Sequence, residues 1–180
     1  SNPLTGTSLS AANPYTTGNA VVPNLTVAGI GVTGANPTGN TNDRYNVNTW
    51  STGAIDTGKY FYFTMTPDPG YEINFTNLVY TSQVSSGTPS VSIRSSVDSY
   101  ASDIATPAVA GGTVSLSAFQ NITSAITFRI YVYNIATTGT TFSINDFAFN
   151  GTVAVGTPVP EINVTQGGSI ASGGTNAFGN

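Results

Sequence analysis

One pattern recurs along this chain and restricts its folding more than any other: short runs in which apolar and polar residues alternate with a period of two. Lys59–Thr66 reads KYFYFTMT, which sets Phe61, Phe63 and Met65 on one side and Tyr60, Tyr62 and Thr64 on the other. Ala125–Asn134 repeats the pattern, with Ile126, Phe128, Ile130 and Val132 against Thr127, Arg129, Tyr131 and Tyr133. Successive side chains leave a pleated backbone on opposite faces, so period two marks a strand with one buried side. Pro67-Asp68-Pro69-Gly70 then makes a turn, with φ fixed at the prolines and a permissive glycine. The next strand opens with Tyr71, Ile73 and Phe75 on one face. Its phase slips after Thr76, because Leu78 and Tyr80 continue one residue off, and the slip predicts a β-bulge near Thr76-Asn77. Thr141–Val153 shows a similar break at Asn145-Asp146, which separates Phe142 and Ile144 from Phe147 and Phe149.

Further strands are expected at Asn24–Thr33, weakened by Gly29 and Gly31, at Ser90–Ser95, at Thr113–Ala118, and in a short piece containing Trp50. No helical period of useful length is present, and no repeat of 20–50 residues recurs. Many short strands with turn punctuation predict an all-β fold: two antiparallel sheets sharing one core as a jelly roll or β-sandwich, over residues 1–155. Residues 156–180 change character. Gly156-Thr157-Pro158-Val159-Pro160 reads as a linker, and Glu161, Ile162, Asn163, Val164 and Thr165 form one more alternating strand. This tail is read as the start of a next domain or as an arm that pairs with another copy.

Composition narrows the function classes. The chain has no His, no Cys, eight carboxylates and four cations among 180 residues, the cations being Lys59, Arg44, Arg94 and Arg129. Without His or Cys, no Ser-His or Cys-His nucleophile can be built, and no catalytic residues are assigned. A pair of carboxylates can hydrolyse a glycoside, but most acids here sit beside Gly, Ser, Asn or Pro, where Asp caps turns with its own side chain. Four scattered cations cannot displace counterions from phosphates, which sets nucleic-acid binding aside. No apolar run approaches 18 residues, so no membrane span is read. Charged residues are only 7% of the chain, so hydroxyls and amides must keep it in solution, a surface suited to an extracellular setting.

Trp50, KYFYFTMTPDPGYEINFTNLVY, PSVSIRSSVDSYASDI and ITFRIYVYNIATTGTTFSINDFAFNGTV together resemble a β-sandwich module of secreted and cell-surface multidomain proteins of Bacteroidetes and some cyanobacteria. The resemblance covers roughly Asn24 to Val153. It implies a layout like that of carbohydrate-binding jelly rolls, found beside hydrolases, nucleases, adhesion repeats and sorting domains. The tail VPEINVTQGGSIASGGTNAFGN is similar to the opening of an immunoglobulin-like repeat. Neighbouring domains or further copies of the chain are the partners this implies.

Three candidate sites follow. If Phe61 and Phe128 point inward, then Tyr60, Tyr62, Arg94, Arg129, Tyr131 and Tyr133 point outward and form a Tyr/Arg patch. Such a patch suits a glycan, because aromatic faces stack on sugar rings; tyrosines pairing across strands to stabilise the sheet give the same pattern. Zn and Cu prefer His or Cys, whereas Ca²⁺ needs only oxygen ligands. Asp146 and Asn145 at the phase break, and Asp43 in a loop, are the candidates for a structural Ca²⁺; no other cofactor is expected. Asp146 capping a turn or bonding to Arg129 is the alternative. Finally, the 161–165 strand meets weakly guarded sheet edges, since the chain has a single Lys. The function expected is a non-catalytic structural or adhesive module that assembles head to tail through this strand. A carbohydrate-binding module, with polysaccharide as partner, is the alternative.

Overall fold

A computed structural model describes residues 2–39 and 42–157, which form β1 (Asn2–Pro3), β2 (Leu25–Thr33), β3 (Asn36–Pro37), β4 (Tyr45–Asn48), β5 (Tyr60–Pro67), β6 (Tyr71–Val84), β7 (Ser90–Ser95), β8 (Gly111–Ser115), β9 (Ile126–Tyr133) and β10 (Phe142–Val155). Two short 3₁₀ turns are the only helical pieces among them. One sheet has the order β3-β4-β10-β6-β8, with β1 also pairing to β10; the other has the order β2-β5-β9-β7. Every pairing is antiparallel. From β4 to β10, each strand lies in the opposite sheet from the one before it. The expected all-β two-sheet sandwich is the fold observed, and this alternation gives it a jelly-roll layout.

The alternating runs explain the layers. In β5, Phe61, Phe63 and Met65 are buried, and in β9 so are Ile126, Phe128, Ile130 and Val132. These two strands pair in register, Phe61 opposite Ile130 and Phe63 opposite Phe128. The facing sheet supplies Phe75, Phe142, Phe147 and Phe149. Ring centroids meet across the layers at 4.7 Å for Phe63 and Phe147, 5.3 Å for Phe128 and Phe149, and 5.4 Å for Phe75 and Phe128. The first pair is tilted, the second stacked and the third edge-on, arrangements that contribute beyond area burial.

Both phase breaks are bulges in the long β6–β10 pair. Asn150 faces Asn77 while Gly151 faces Phe75, which leaves Thr76 extra. The Thr76 carbonyl accepts the Leu116 N–H at 2.9 Å. Gly151 is required there, since a Cβ on it would lie 2.3 Å from the Asn74 carbonyl oxygen. At the other break Ile144 faces Ser82 and Asp146 faces Thr81, so Asn145 is the extra residue.

Two expectations need correcting, and one strand was not expected. Trp50 lies in no strand; it follows β4, is fully buried, donates its indole N–H to the Val47 carbonyl at 3.1 Å and packs on Phe61 at 4.8 Å. The strand expected at Thr113–Ala118 runs instead over Gly111–Ser115. Tyr45–Asn48 is a strand that the pattern did not disclose, because Asn46 is polar yet buried. Its amide donates to the Thr38 hydroxyl at 2.7 Å, which satisfies a group that would otherwise be costly to bury. The tail residues Glu161, Ile162, Asn163, Val164 and Thr165 lie outside the described residues.

Candidate functional site on the outer face of the four-stranded sheet

The alternation that buries Phe61 and Phe128 turns their neighbours to the far side of the β2-β5-β9-β7 sheet. Register lines up Gly31, Tyr62, Arg129 and Arg94 across its four strands. Tyr62 lies flat over its glycine neighbour: a Cβ on Gly31 would fall 2.2 Å from the Tyr62 ring. The Tyr60 ring meets the Tyr62 ring at 6.4 Å and the Tyr131 ring at 5.7 Å, both edge-on. Tyr133 stands half-buried opposite Ser90.

Arg129 is the centre of this face. Its guanidinium carbon lies 3.9 Å from the Tyr60 ring centroid and 3.5 Å from the Tyr100 ring centroid, so two aromatic rings pack against the group. Tyr100 is not on a strand. It belongs to the connection after β7, which doubles back along the sheet edge through the Ile93 N–H to Ala105 carbonyl bond at 2.9 Å and the Ile104 N–H to Ile93 carbonyl bond at 2.7 Å. Ser99 and Tyr100 both carry positive φ, 58° and 62°. That region is unfavourable for a bulky residue, so backbone strain accompanies the seating of this ring. Strand periodicity could not have found Tyr100; the only available signal was its place in an acidic, Ser-rich connection beside Arg94.

Arg94, directly opposite Arg129, is tied down differently. Its Nε donates to the Asp103 carboxylate at 2.6 Å and its Nη1 to the Tyr100 carbonyl at 3.1 Å. Ser92 Oγ donates to the same carboxylate. Burial opposes the charge on Asp103, but the hydrogen bonds from Ser92 and Arg94 and the Arg94 charge outweigh it, and the carboxyl is held below its ordinary range. Tyr131 lies under this assembly with the Arg94 guanidinium 5.4 Å from its ring, and is 1% exposed. The six patch residues therefore do share one face, but Tyr131 is covered and offers no open ring.

The expected metal ligands are less well grouped. Asn145 and Asp146 sit at the β10 bulge, where the Asn145 amide donates to Gln83 at 3.2 Å and Asp146 is exposed. Asp43 lies in the loop before β4 and accepts the Gly6 N–H at 2.8 Å. No group of three or more His, Cys, Asp or Glu that could hold a metal occurs among the described residues. The alternative bond from Asp146 to Arg129 is not formed: Arg129 stands on the other sheet, stacked on tyrosines. Other acids cap local backbone, as Asp56 does for the Gly58 N–H at 2.9 Å and Asp98 for the Ser102 N–H at 2.9 Å.

Two adjoining recesses of about 80 and 90 Å³ open between the sheets, both lined by Val22, Leu25, Met65 and Phe149. Neither lining includes a titratable side chain. No helix among the described residues is long and apolar enough to cross a membrane. No family model, curated protein or solved structure matches this chain.

Proposed function

We propose that this chain is a non-catalytic structural and adhesive module of a large secreted or cell-surface protein, and that it spaces or displays its neighbours. The observation that supports this reading is how the outer tyrosines are used. Tyr60, Tyr62, Tyr100 and Tyr131 pack on one another, on Gly31 and on the two arginines, so they stiffen the sheet from outside as the phenylalanines do from inside. The loops at one pole are tied backbone to backbone in the same spirit, by Thr49 N–H to Thr138 at 2.8 Å, Asn134 N–H to Gly53 at 2.8 Å and Ser85 N–H to Thr141 at 3.0 Å.

Assembly through the tail belongs to the same proposal. Beyond Phe147, β10 is paired with β6 on one side and with no strand on the other among the described residues. An unpaired run of N–H and C=O groups is a template for another strand. The alternating segment Glu161–Thr165 of a second copy is the strand proposed to fill it, and such contacts propagate instead of closing. Sedimentation velocity of the whole chain and of a chain ended at Val155 tests this. The whole chain is expected to grow in size with concentration and the shortened one to stay monomeric; identical behaviour rejects tail-driven assembly. Turnover of any glycoside or ester in a chromogenic screen rejects the non-catalytic part.

A further inference from the structure

We propose that the outer face of the β2-β5-β9-β7 sheet carries a carboxylate-binding site centred on Arg129, built to take the uronate groups of an acidic polysaccharide. This site is additional to the structural role, and each stands or falls without the other.

The argument starts from what Arg129 leaves undone. A guanidinium carries five N–H donors in one plane. Here its only hydrogen bond among the described residues is a long one, 3.4 Å from Nη1 to the Tyr131 hydroxyl, and its buried Nε has no partner. The one ion pair among the described residues uses Arg94 and Asp103, so Arg129 has no carboxylate of its own. Arg94 stands directly opposite in register. Like charges facing across a strand pair are destabilising, and Asp103 offsets only one of them. Two of the chain's four cations thus share this face, and only one of them has a carboxylate paired to it, on a protein of net charge −4.

The geometry then selects the ligand. Tyr60 and Tyr100 lie against the Arg129 guanidinium at 3.9 and 3.5 Å and its Nε is buried, so the Nη end of the group is what is left to bond. A planar fork of donors matches a carboxylate, which accepts two parallel N–H bonds. Because the rings fix the fork beforehand, little side-chain freedom remains to be lost on binding. The half-buried rings of Tyr60 and Tyr62 beside the fork offer apolar surface to the faces of a sugar. An acidic peptide gains most from several cations in a row, whereas one open guanidinium flanked by tyrosines suits one carboxylate carried on a ring.

The test is isothermal titration of the whole chain with oligogalacturonate, with the same oligomer methyl-esterified, and with oligoglutamate of equal length. Binding is expected for oligogalacturonate alone, weakening as salt is raised. Arg129→Gln is expected to lower affinity roughly ten- to a hundredfold, the range for losing a charge-assisted hydrogen-bonded pair. Arg129→Lys is expected to recover little of it, because an ammonium lacks the fork. Trp50 fluorescence and the urea midpoint establish that each variant is folded. A second readout needs no variant: the Arg129 Nε–Hε resonance should shift on titration with oligogalacturonate. Equal binding of the methyl ester, wild-type affinity in folded Arg129→Gln, no binding at millimolar ligand, or an unmoved Arg129 resonance overturns the site. Oligoglutamate binding as tightly as the uronate overturns the sugar assignment.

Discussion

Phe61→Ala tests the claim that the period-two pattern divides inside from outside. Phe61 is fully buried, with the Trp50, Tyr45 and Phe142 rings at 4.8, 6.2 and 6.2 Å. Truncation to alanine removes roughly 120 Å² of apolar surface from the core, about 3 kcal/mol at the usual coefficient. Three lost ring contacts and an incompletely collapsed cavity add about 1 kcal/mol or more, which places the total near 4 kcal/mol. Tyr60, the next residue, points the other way and is half-buried. Tyr60→Ala loses partial burial and one of the two rings against Arg129, about 1 kcal/mol. Urea unfolding followed by Trp50 fluorescence reads both. With a slope of about 2 kcal/mol per molar urea, the midpoint should fall by roughly 2 M for Phe61→Ala and by roughly 0.5 M for Tyr60→Ala, the slope itself unchanged. Equal shifts for the two variants, or a loss under about 1 kcal/mol for Phe61→Ala, would refute the two-faced reading of β5.

Three further outcomes are expected. Gly151→Ala should destabilise by about 2 kcal/mol or more, because the new methyl meets Asn74 and Phe75 backbone, which cannot swing aside; Gly53→Ala, with open space around it, should change the thermal midpoint little. Gly31→Ala should cost about 1 kcal/mol by displacing the Tyr62 ring, and nothing extra when Tyr62→Ala is already present, so a double-mutant cycle should return a clear coupling. The Asp103 carboxyl is held below its unfolded value, so the folded chain binds fewer protons there. Its contribution should be complete above about pH 5 and decline as the pH falls through about 4 and below, so urea midpoints of the wild type and Asp103→Asn should converge on acidification.

Much of the fold was legible because burial acts locally on strands. The faces of β5 and β9 followed from alternation alone, and both bulges followed from a one-residue slip in that alternation, since a residue added to one strand moves every later side chain to the other side. Trp50 was legible as a buried anchor but not as a residue outside any strand. Tyr45–Asn48 was hidden because Asn46 is tolerated inside only through Thr38, a partner eight positions away that periodicity does not weigh. The candidate site was half legible. Arg94, Arg129 and the tyrosines were placed on one face correctly, yet the closure of that face depends on Tyr100, carried there by a connection whose path is set by long-range hydrogen bonds to Ile93 and not by any local pattern. Tyr131 illustrates the gap: its strand phase points outward, and a neighbouring loop and two arginines then take it out of water.

The to-and-fro of β4 to β10 between the two sheets has a kinetic corollary. No two consecutive strands in that stretch lie side by side, so no local hairpin can serve as a seed. The first lasting pairs, such as β6 with β10, must close long loops before they gain anything. Folding on the millisecond-to-second scale is the behaviour of such a topology. A chain stopped anywhere before Phe142 would lack the centre of one sheet, and would leave the ribosome with its phenylalanines still facing water.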